Sequence, residues 1–344
     1  MKPAFSCFVI MLLAGGVFAA HGQPVDLSVY PAEAPQQKDK YGLLPKAEDL
    51  VDADALPLYD KAIASLPQNL DQNKIRRWIQ MPLDKLPIKE VEATLQRLKG
   101  ALEPAKQAGK CKKAKWPVVK PGTFVKGIDD EYRVLAFILA LEARVQIAKG
   151  RYNEAIETMQ TGFSLARHLT DGPMLIQGLV GIAVAASILD QAEELVQQAD
   201  APNLYWAFEK LPRPLADLSN QMEQEMQGLK RQVINPWTRS LLKKQLKPAH
   251  DRTRVMMKKL DRQVVALQLV EALRLYAASH EGKFPVRLKD VTDGSIPKDP
   301  VTGKAFIYSG SGDKAVIEAP APEGAKPEDA LRYNLTLKRP TQAP

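Results

Sequence analysis

The chain has 344 residues, 45% of them hydrophobic and 26% charged, which is enough apolar material to bury a large core and to hold two or three units. It has two cysteines, one of them in an N-terminal apolar segment that reads as removable, so Cys111 is left alone and no intramolecular disulfide can staple the fold. The net charge of +8 is unevenly placed, with seven lysines and no acid in residues 106–126 and eleven Lys or Arg against Asp251 and Asp261 in residues 230–262. Such patches attract anionic surfaces. No recognition-helix pattern, RNP motif or zinc-ligand set accompanies the charge, and a nucleic-acid partner is not expected.

At the N-terminus Lys2 precedes an apolar run from Phe8 to Leu13, and the small residues of "AGGVFAAHGQP" follow. This pattern predicts a secretory signal over residues 1–22, cleaved near Ala20 or Gly22, and a secreted or periplasmic location. The element "LAGG" is followed by Val17 and not by cysteine, which argues against a lipid anchor. The run is too short to span a bilayer, and no other uninterrupted apolar stretch reaches the ~18 residues required, so no transmembrane segment is expected in the mature chain.

Residues 23–45 are proline-rich and polar and read as an extended leader. Residues 46–246 are expected to form a helical domain. Within it, Glu90 to Lys106 reads as one amphipathic segment, with Val91, Leu95, Leu98 and Leu102 at helical spacing. The lysine-rich stretch after it, broken by Trp116-Pro117 and Lys120-Pro121-Gly122, reads as a loop. Its Lys110, Lys112, Lys113 and Lys115 are candidate binding residues. They also surround Cys111 with positive charge, which favours a thiolate and predicts an exposed free thiol able to link two chains.

Residues 129–173 carry the clearest local signal. A first helix is apolar on more than one face, through Val134, Leu135, Phe137, Ile138, Leu139, Leu141 and Val145, and must be sandwiched between neighbours. A second helix aligns Tyr152, Ala155, Ile156, Met159, Phe163 and Ala166 on one stripe. The linking "AKGRYNEAIE" resembles the turn and second helix of a tetratricopeptide repeat, near 129–171, with one recognisable copy.

Residues 173–198 are apolar all round in their middle and read as a buried central helix, where Gly178 and Gly181 permit close helix contact. Pro202, Pro212 and Pro214 then punctuate short helices. The cluster Tyr205, Trp206 and Phe208 fits core better than it fits a ligand groove, with Tyr205 and Trp206 kept as binding candidates.

A last helix aligns Ala266, Leu269, Val270, Leu273, Tyr276 and Ala277, with His280 at its end, Gly282 as a cap and Pro285 beyond. The turn Gly282-x-Phe284-Pro285, the Leu288 segment and the run Asp299-Pro300-x-x-Gly303-x-x-Phe306-x-Tyr308 follow it. This order resembles the C-terminal part of type IV pilin and type II secretion pseudopilin G-like subunits. The resemblance implies a helix plus a small antiparallel sheet over residues 247–319; residues 320–344 read as a Pro-rich tail. The apolar N-terminal stem that builds pilin filaments is missing before this helix, so filament assembly is not implied. The loop in which some pseudopilins hold calcium offers only Asp313 here, too few oxygens for that ion.

Metal sites, nucleophile elbows and phosphate loops all lack their motifs: His168, His250 and His280 are scattered, and Cys111 has no CxxC partner. Acidic pairs such as Glu193-Glu194 read as exposed helix ends. The whole reads as a mainly α, helical-hairpin protein with a small C-terminal α+β module. Its expected role is that of an envelope-associated interaction or scaffold protein without a cofactor, contacting an envelope protein or an anionic wall polymer. The rival reading is a secreted hydrolase of such a polymer.

Overall fold

The computed structural model describes residues 24–117, 128–232, 235–292, 294–323 and 325–339. It is mainly helical, with a small mixed sheet at the C-terminal end. The N-terminal segment with its proposed cleavage sites lies outside the described residues.

The first helices are α1 (Leu56–Ala64), α2 (Gln72–Gln80), α3 (Ile88–Arg97) and α4 (Lys99–Gly109). Asp71 caps α2 by accepting the amide of Lys74 at 2.9 Å, which satisfies one of the free donors of a first helical turn. The single segment expected from Glu90 to Lys106 is two helices, broken at Leu98. Pro104 lies inside the second helix and withholds the amide that would bond the Gly100 carbonyl one turn back. Val91, Leu95, Leu98 and Leu102 are nonetheless all buried, so the apolar stripe survives the bend.

Three longer helices follow: α5 (Ile128–Ala148), α6 (Tyr152–Thr170) and α7 (Leu175–Val196). Helix α5 packs against both α6 and α7, as its two apolar faces require. The turn between α5 and α6 runs through Gly150, whose φ of 69° is open to glycine at little cost. Helix α7 is long and apolar enough to cross a membrane by length and composition, with mean hydropathy 1.6, but 78% of that window is buried inside the protein. Its glycines let backbones close in. A Cβ on Gly181 would stand 2.8 Å from the carbonyl oxygen of Ala166 on α6, and one on Gly178 would meet Leu218.

After the short α8 (Tyr205–Glu209), helices α9 (Ser219–Gln232) and α10 (Pro236–Ser279) form a hairpin. The expected boundary between residues 246 and 247 falls inside α10, a single 44-residue helix. Pro248 sits within it at an exposed position, where water can satisfy the carbonyl that loses its partner. From Leu260 to Ala277 nearly every position is buried, including Ala266, Leu269, Val270 and Leu273. The helix ends with Glu281 and Gly282 at φ 54° and 66°, and the Gly282 amide bonds the carbonyl of Ala277 at 3.0 Å. His280, past the last turn, stacks on Tyr276 with ring centroids 3.7 Å apart.

The sheet extends on both sides of the region expected to hold it. Strands β4 (Ile307–Ser311) and β5 (Lys314–Ala319) make the antiparallel hairpin, and β6 (Leu331–Leu337), from the stretch read as a Pro-rich tail, pairs antiparallel with β5. Strand β1 (Val25–Val29), from the stretch read as a leader, pairs parallel with β6, so the order is β1-β6-β5-β4. Alternation explains both additions: Leu27 and Val29 in β1, and Leu331, Tyr333, Leu335 and Leu337 in β6, are buried at every second position. The chain from β1 to Leu43 then runs as a strap across α10 and α6. The Ala32 amide bonds the Arg274 carbonyl at 3.2 Å, Gln160 donates to the Gly42 carbonyl at 2.8 Å, and Lys210 pairs with Asp39. A single hydrophobic cluster contains residues of the helices, the strap and the sheet.

Two buried arginines on α10 join these layers. Arg262 grips the Asp299 carboxylate through Nε and Nη2 at 3.0 and 2.9 Å, and donates to the Pro320 carbonyl through Nη1 at 2.6 Å. Arg274 donates to the carbonyls of Tyr30 and Ala201 and pairs with Glu271 one turn earlier. Asp299 also accepts from the Val301 amide at 3.1 Å and the Thr302 hydroxyl at 2.8 Å, which holds the "DPVTGK" turn closed. Gly303 completes that turn at φ 69°. Phe306 is then buried, and Tyr308, on the same side of the chain, donates to the Pro285 carbonyl at 2.7 Å.

Candidate functional site

The stretch read as a lysine-rich loop begins with a strand. Lys110 caps α4, and β3 (Cys111–Lys113) pairs parallel with β2 (Val51–Asp54). The Val51 amide bonds the Lys110 carbonyl at 2.8 Å, and the Ala55 amide bonds the Lys113 carbonyl at 2.9 Å. Asp54 fixes the exit by accepting the amides of Leu56 and Lys115 at 3.1 and 2.8 Å. Burial acts to raise the Asp54 carboxyl, and these two amide bonds outweigh it and hold it below its usual value. Lys110, Lys112, Lys113 and Lys115 are all exposed, and among the described residues no acid lies within 4 Å of any of their ammonium groups. Residues 118–127 of the same stretch lie outside the described residues.

Cys111 corrects the expectation of an exposed thiol. It is buried, its Sγ donates weakly to the Gln107 carbonyl at 3.7 Å, and burial together with the nearby Asp54 charge pushes the thiol up, away from thiolate. Burial is confined to the first residue of β3: Cys111 joins the hydrophobic core, while Lys112 and Lys113 of the same strand, and Lys110 and Lys115 beside it, are exposed. A Cys111-linked dimer has no accessible sulfur to form it.

Beneath this edge lies a sealed polar cluster. His168 Nε2 is 3.1 Å from the Cys111 carbonyl oxygen, which can only accept, so Nε2 carries the proton and Nδ1 accepts from the Tyr59 hydroxyl at 2.9 Å. Tyr132 packs edge-on against Tyr59, and the Trp116 indole donates to the His168 carbonyl at 2.7 Å. Burial first, and the Arg167 charge second, depress His168 to about 4, so it stays neutral at ordinary pH. Its ring bonds the Cys111 backbone and not the sulfur, so this pair is not arranged as a nucleophile and its base.

Tyr205 and Trp206 belong to the packing of the protein. Tyr205 is fully buried and donates to the Ser295 carbonyl at 2.8 Å. Trp206 sits edge-on to it, centroids 4.7 Å apart, with the Lys38 ammonium of the strap 4.0 Å over the ring. Phe208 is fully buried as well.

Glu193 and Glu194, read as an exposed helix end, are half-buried instead, and each meets a side chain of a neighbouring element. Glu193 accepts the Tyr333 hydroxyl of β6 at 2.8 Å, and Glu194 lies 3.5 Å from Arg144 of α5, which also donates to the Met81 carbonyl. Burial pushes the Asp190 carboxyl beside them up to about 7. These acids bind layers together, and neither of two surface clefts reaches them. One cleft, of about 240 Å³, lies between α2 and α3 with Trp78 at its floor and Lys74 and Arg97 on its rim. Among the described residues no group of three or more His, Cys, Asp or Glu could hold a metal ion.

No family model matches the chain, and no curated protein and no solved structure matches it either.

Proposed function

We propose that the chain is an exported, envelope-associated interaction or scaffold protein that is not an enzyme and takes no cofactor. The observation that carries the reading is the lysine edge: four exposed ammonium groups without acidic partners among the described residues, held in fixed register by β2 and β3. Presentation of like charge from a fixed backbone suits an acidic face of an envelope protein or an anionic wall polymer, because the backbone that carries the groups needs no ordering on binding. The α5–α6 hairpin is read as a repeat-like unit and the C-terminal region as a pilin-like module reused without its filament stem. Export is supported by the N-terminal sequence pattern, and the first strand starts at Val25, just after the proposed cleavage sites at Ala20 or Gly22.

The test is a pull-down from envelope extracts with the native chain and with Lys110, Lys112, Lys113 and Lys115 all changed to Glu. Capture of a defined protein or of wall polymer at low salt, lost in the variant and at high salt, supports the reading. Equal capture by the variant sinks it, and steady release of polymer fragments would hand the protein to the hydrolase class. Mass spectrometry of the exported chain should find an N-terminus between Ala20 and Pro24.

A further inference from the structure

The α9–α10 hairpin ends far from the lysine edge in sequence and has a different surface chemistry. Asn235 caps α10 by accepting the amides of Trp237 and Thr238 at 2.9 and 3.4 Å, which starts the helix just before an exposed aromatic. Trp237 is 75% exposed and Leu241 44% exposed, the two lying one helical turn apart on the outer face. On the other side Thr238, Leu242, Leu246 and Ala249 are half-buried toward α9, and His250 Nε2 meets Glu225 Oε2 at 2.7 Å. Lys244 continues the line of Trp237 and Leu241, and Lys243 and Lys247 lie along one side of it, all three exposed. Between Met226 and His250 the sequence holds six Lys or Arg and no acid.

We propose that this hairpin end docks on an anionic lipid bilayer, with Trp237 and Leu241 seated in the headgroup boundary and Lys243, Lys244 and Lys247 on the phosphates. Charge complementarity selects an anionic partner, and the exposed indole and leucine select a bilayer over a soluble polymer. A hydrated polyanion has no apolar layer to receive them, whereas tryptophan is favoured at the membrane interface and lysine stems reach past an apolar strip to the headgroups. The contact is superficial: two apolar side chains and three cations make a reversible, salt-sensitive attachment. It goes beyond the scaffold reading and stands or falls independently of the lysine edge.

The experiment is co-sedimentation with vesicles of phosphatidylglycerol and phosphatidylcholine, and with phosphatidylcholine alone. It is run on the full chain and, to remove the apolar Phe8–Leu13 run, on the chain from Pro24, where the described fold begins. Binding to the anionic vesicles alone is expected, with tryptophan emission quenched by a spin label at the headgroup level. Trp237→Ser with Leu241→Ser should abolish the quenching, and Lys243→Gln, Lys244→Gln and Lys247→Gln together should weaken partition about a hundredfold, from about fivefold per lysine. Circular dichroism verifies that each variant remains folded, which the exposure of all five side chains leads us to expect. The proposal is overturned by absent binding, by sedimentation unchanged in the Trp237–Leu241 variant, by equal binding to neutral vesicles, or by a soluble polyanion binding through the lysines with Trp237 still fully exposed.

Discussion

Replacing Asp299 with alanine tests how the helical layers and the sheet are held together. In the native protein its carboxylate accepts two bonds from Arg262, one from the Val301 amide and one from the Thr302 hydroxyl, and both it and the guanidinium are almost fully buried. Removing the carboxylate leaves Arg262 as a buried cation with the Pro320 carbonyl as its remaining partner, and breaking such a pair from one side costs about 3–5 kcal/mol. That is a large share of a total stability of about 5–15 kcal/mol. Arg262→Met should cost less, because Asp299 keeps its bonds from Val301 and Thr302. The double variant should fall short of the sum of the two, since the buried charge is then gone, yet it should not return to the native value while the Val301 amide stays unpaired. Burial acts to raise the Asp299 carboxyl, but the hydrogen bonds of Arg262, Thr302 and Val301 and the Arg262 charge outweigh it and hold it low. A depressed carboxylate stabilises the fold above its unfolded value of about 3.9, and that share is lost as pH falls through the lower folded value. The assay is urea unfolding of the native, single and double variants at pH 7 and at pH 3, read as the midpoint at constant slope. A cost below about 1 kcal/mol for Asp299→Ala, or strict additivity of the two changes, refutes the reasoning.

His168 predicts an acid sensitivity of its own: its folded value is depressed to about 4 against 6.5 for a free side chain, so the unfolded chain gains a proton first and stability falls by about 3 kcal/mol as pH drops from 6.5 to 4. His168→Gln should flatten that slope, as measured by stability at several pH values. Cys111 should resist thiol reagents in the native protein and label fully once unfolded, and non-reducing gels should show monomer after oxidation. Rapid labelling of the folded chain would contradict its burial. Gly181→Ala places a methyl group against the Ala166 carbonyl and should cost about 1–3 kcal/mol in thermal or urea unfolding, because backbone, unlike a side-chain tip, cannot swing aside.

Periodicity made the helical part legible. The stripe from Ala155 to Ala166 and the two-faced helix from Val134 to Val145 are buried as their spacing requires, and the Gly178 and Gly181 contacts follow from small residues on an apolar helix. The strands at the two ends were harder to see, although Val25-x-Leu27-x-Val29 and Leu331-x-Tyr333-x-Leu335-x-Leu337 alternate cleanly. Flanking prolines and polar residues hid them, and nothing local says that such distant segments pair. The Arg262–Asp299 clasp left still less trace, since an arginine on a helix and an aspartate in a turn each look solvent-facing until the fold brings them together. Cys111 differs from its expectation for a related reason: its lysine neighbours describe the chain beside it, while its environment is set by the core cluster that its own side chain joins.

The pairing of β1 with β6 has a consequence for the order of synthesis. Asp26 and Asn334 are hydrogen-bonded across a separation of 308 residues, so β1 leaves the ribosome long before the strand that it pairs with. The entropic cost of closing so long a loop rises only logarithmically, which leaves the finished sheet affordable in equilibrium terms. Timing is another matter, because contacts this distant form late. Until β6 is made the β1 backbone lacks the strand it pairs with, and β5 lacks one of its two flanking strands. A polypeptide released before Leu331 therefore loses the partners of two strands at once, and the sheet distinguishes an interrupted product from a finished one.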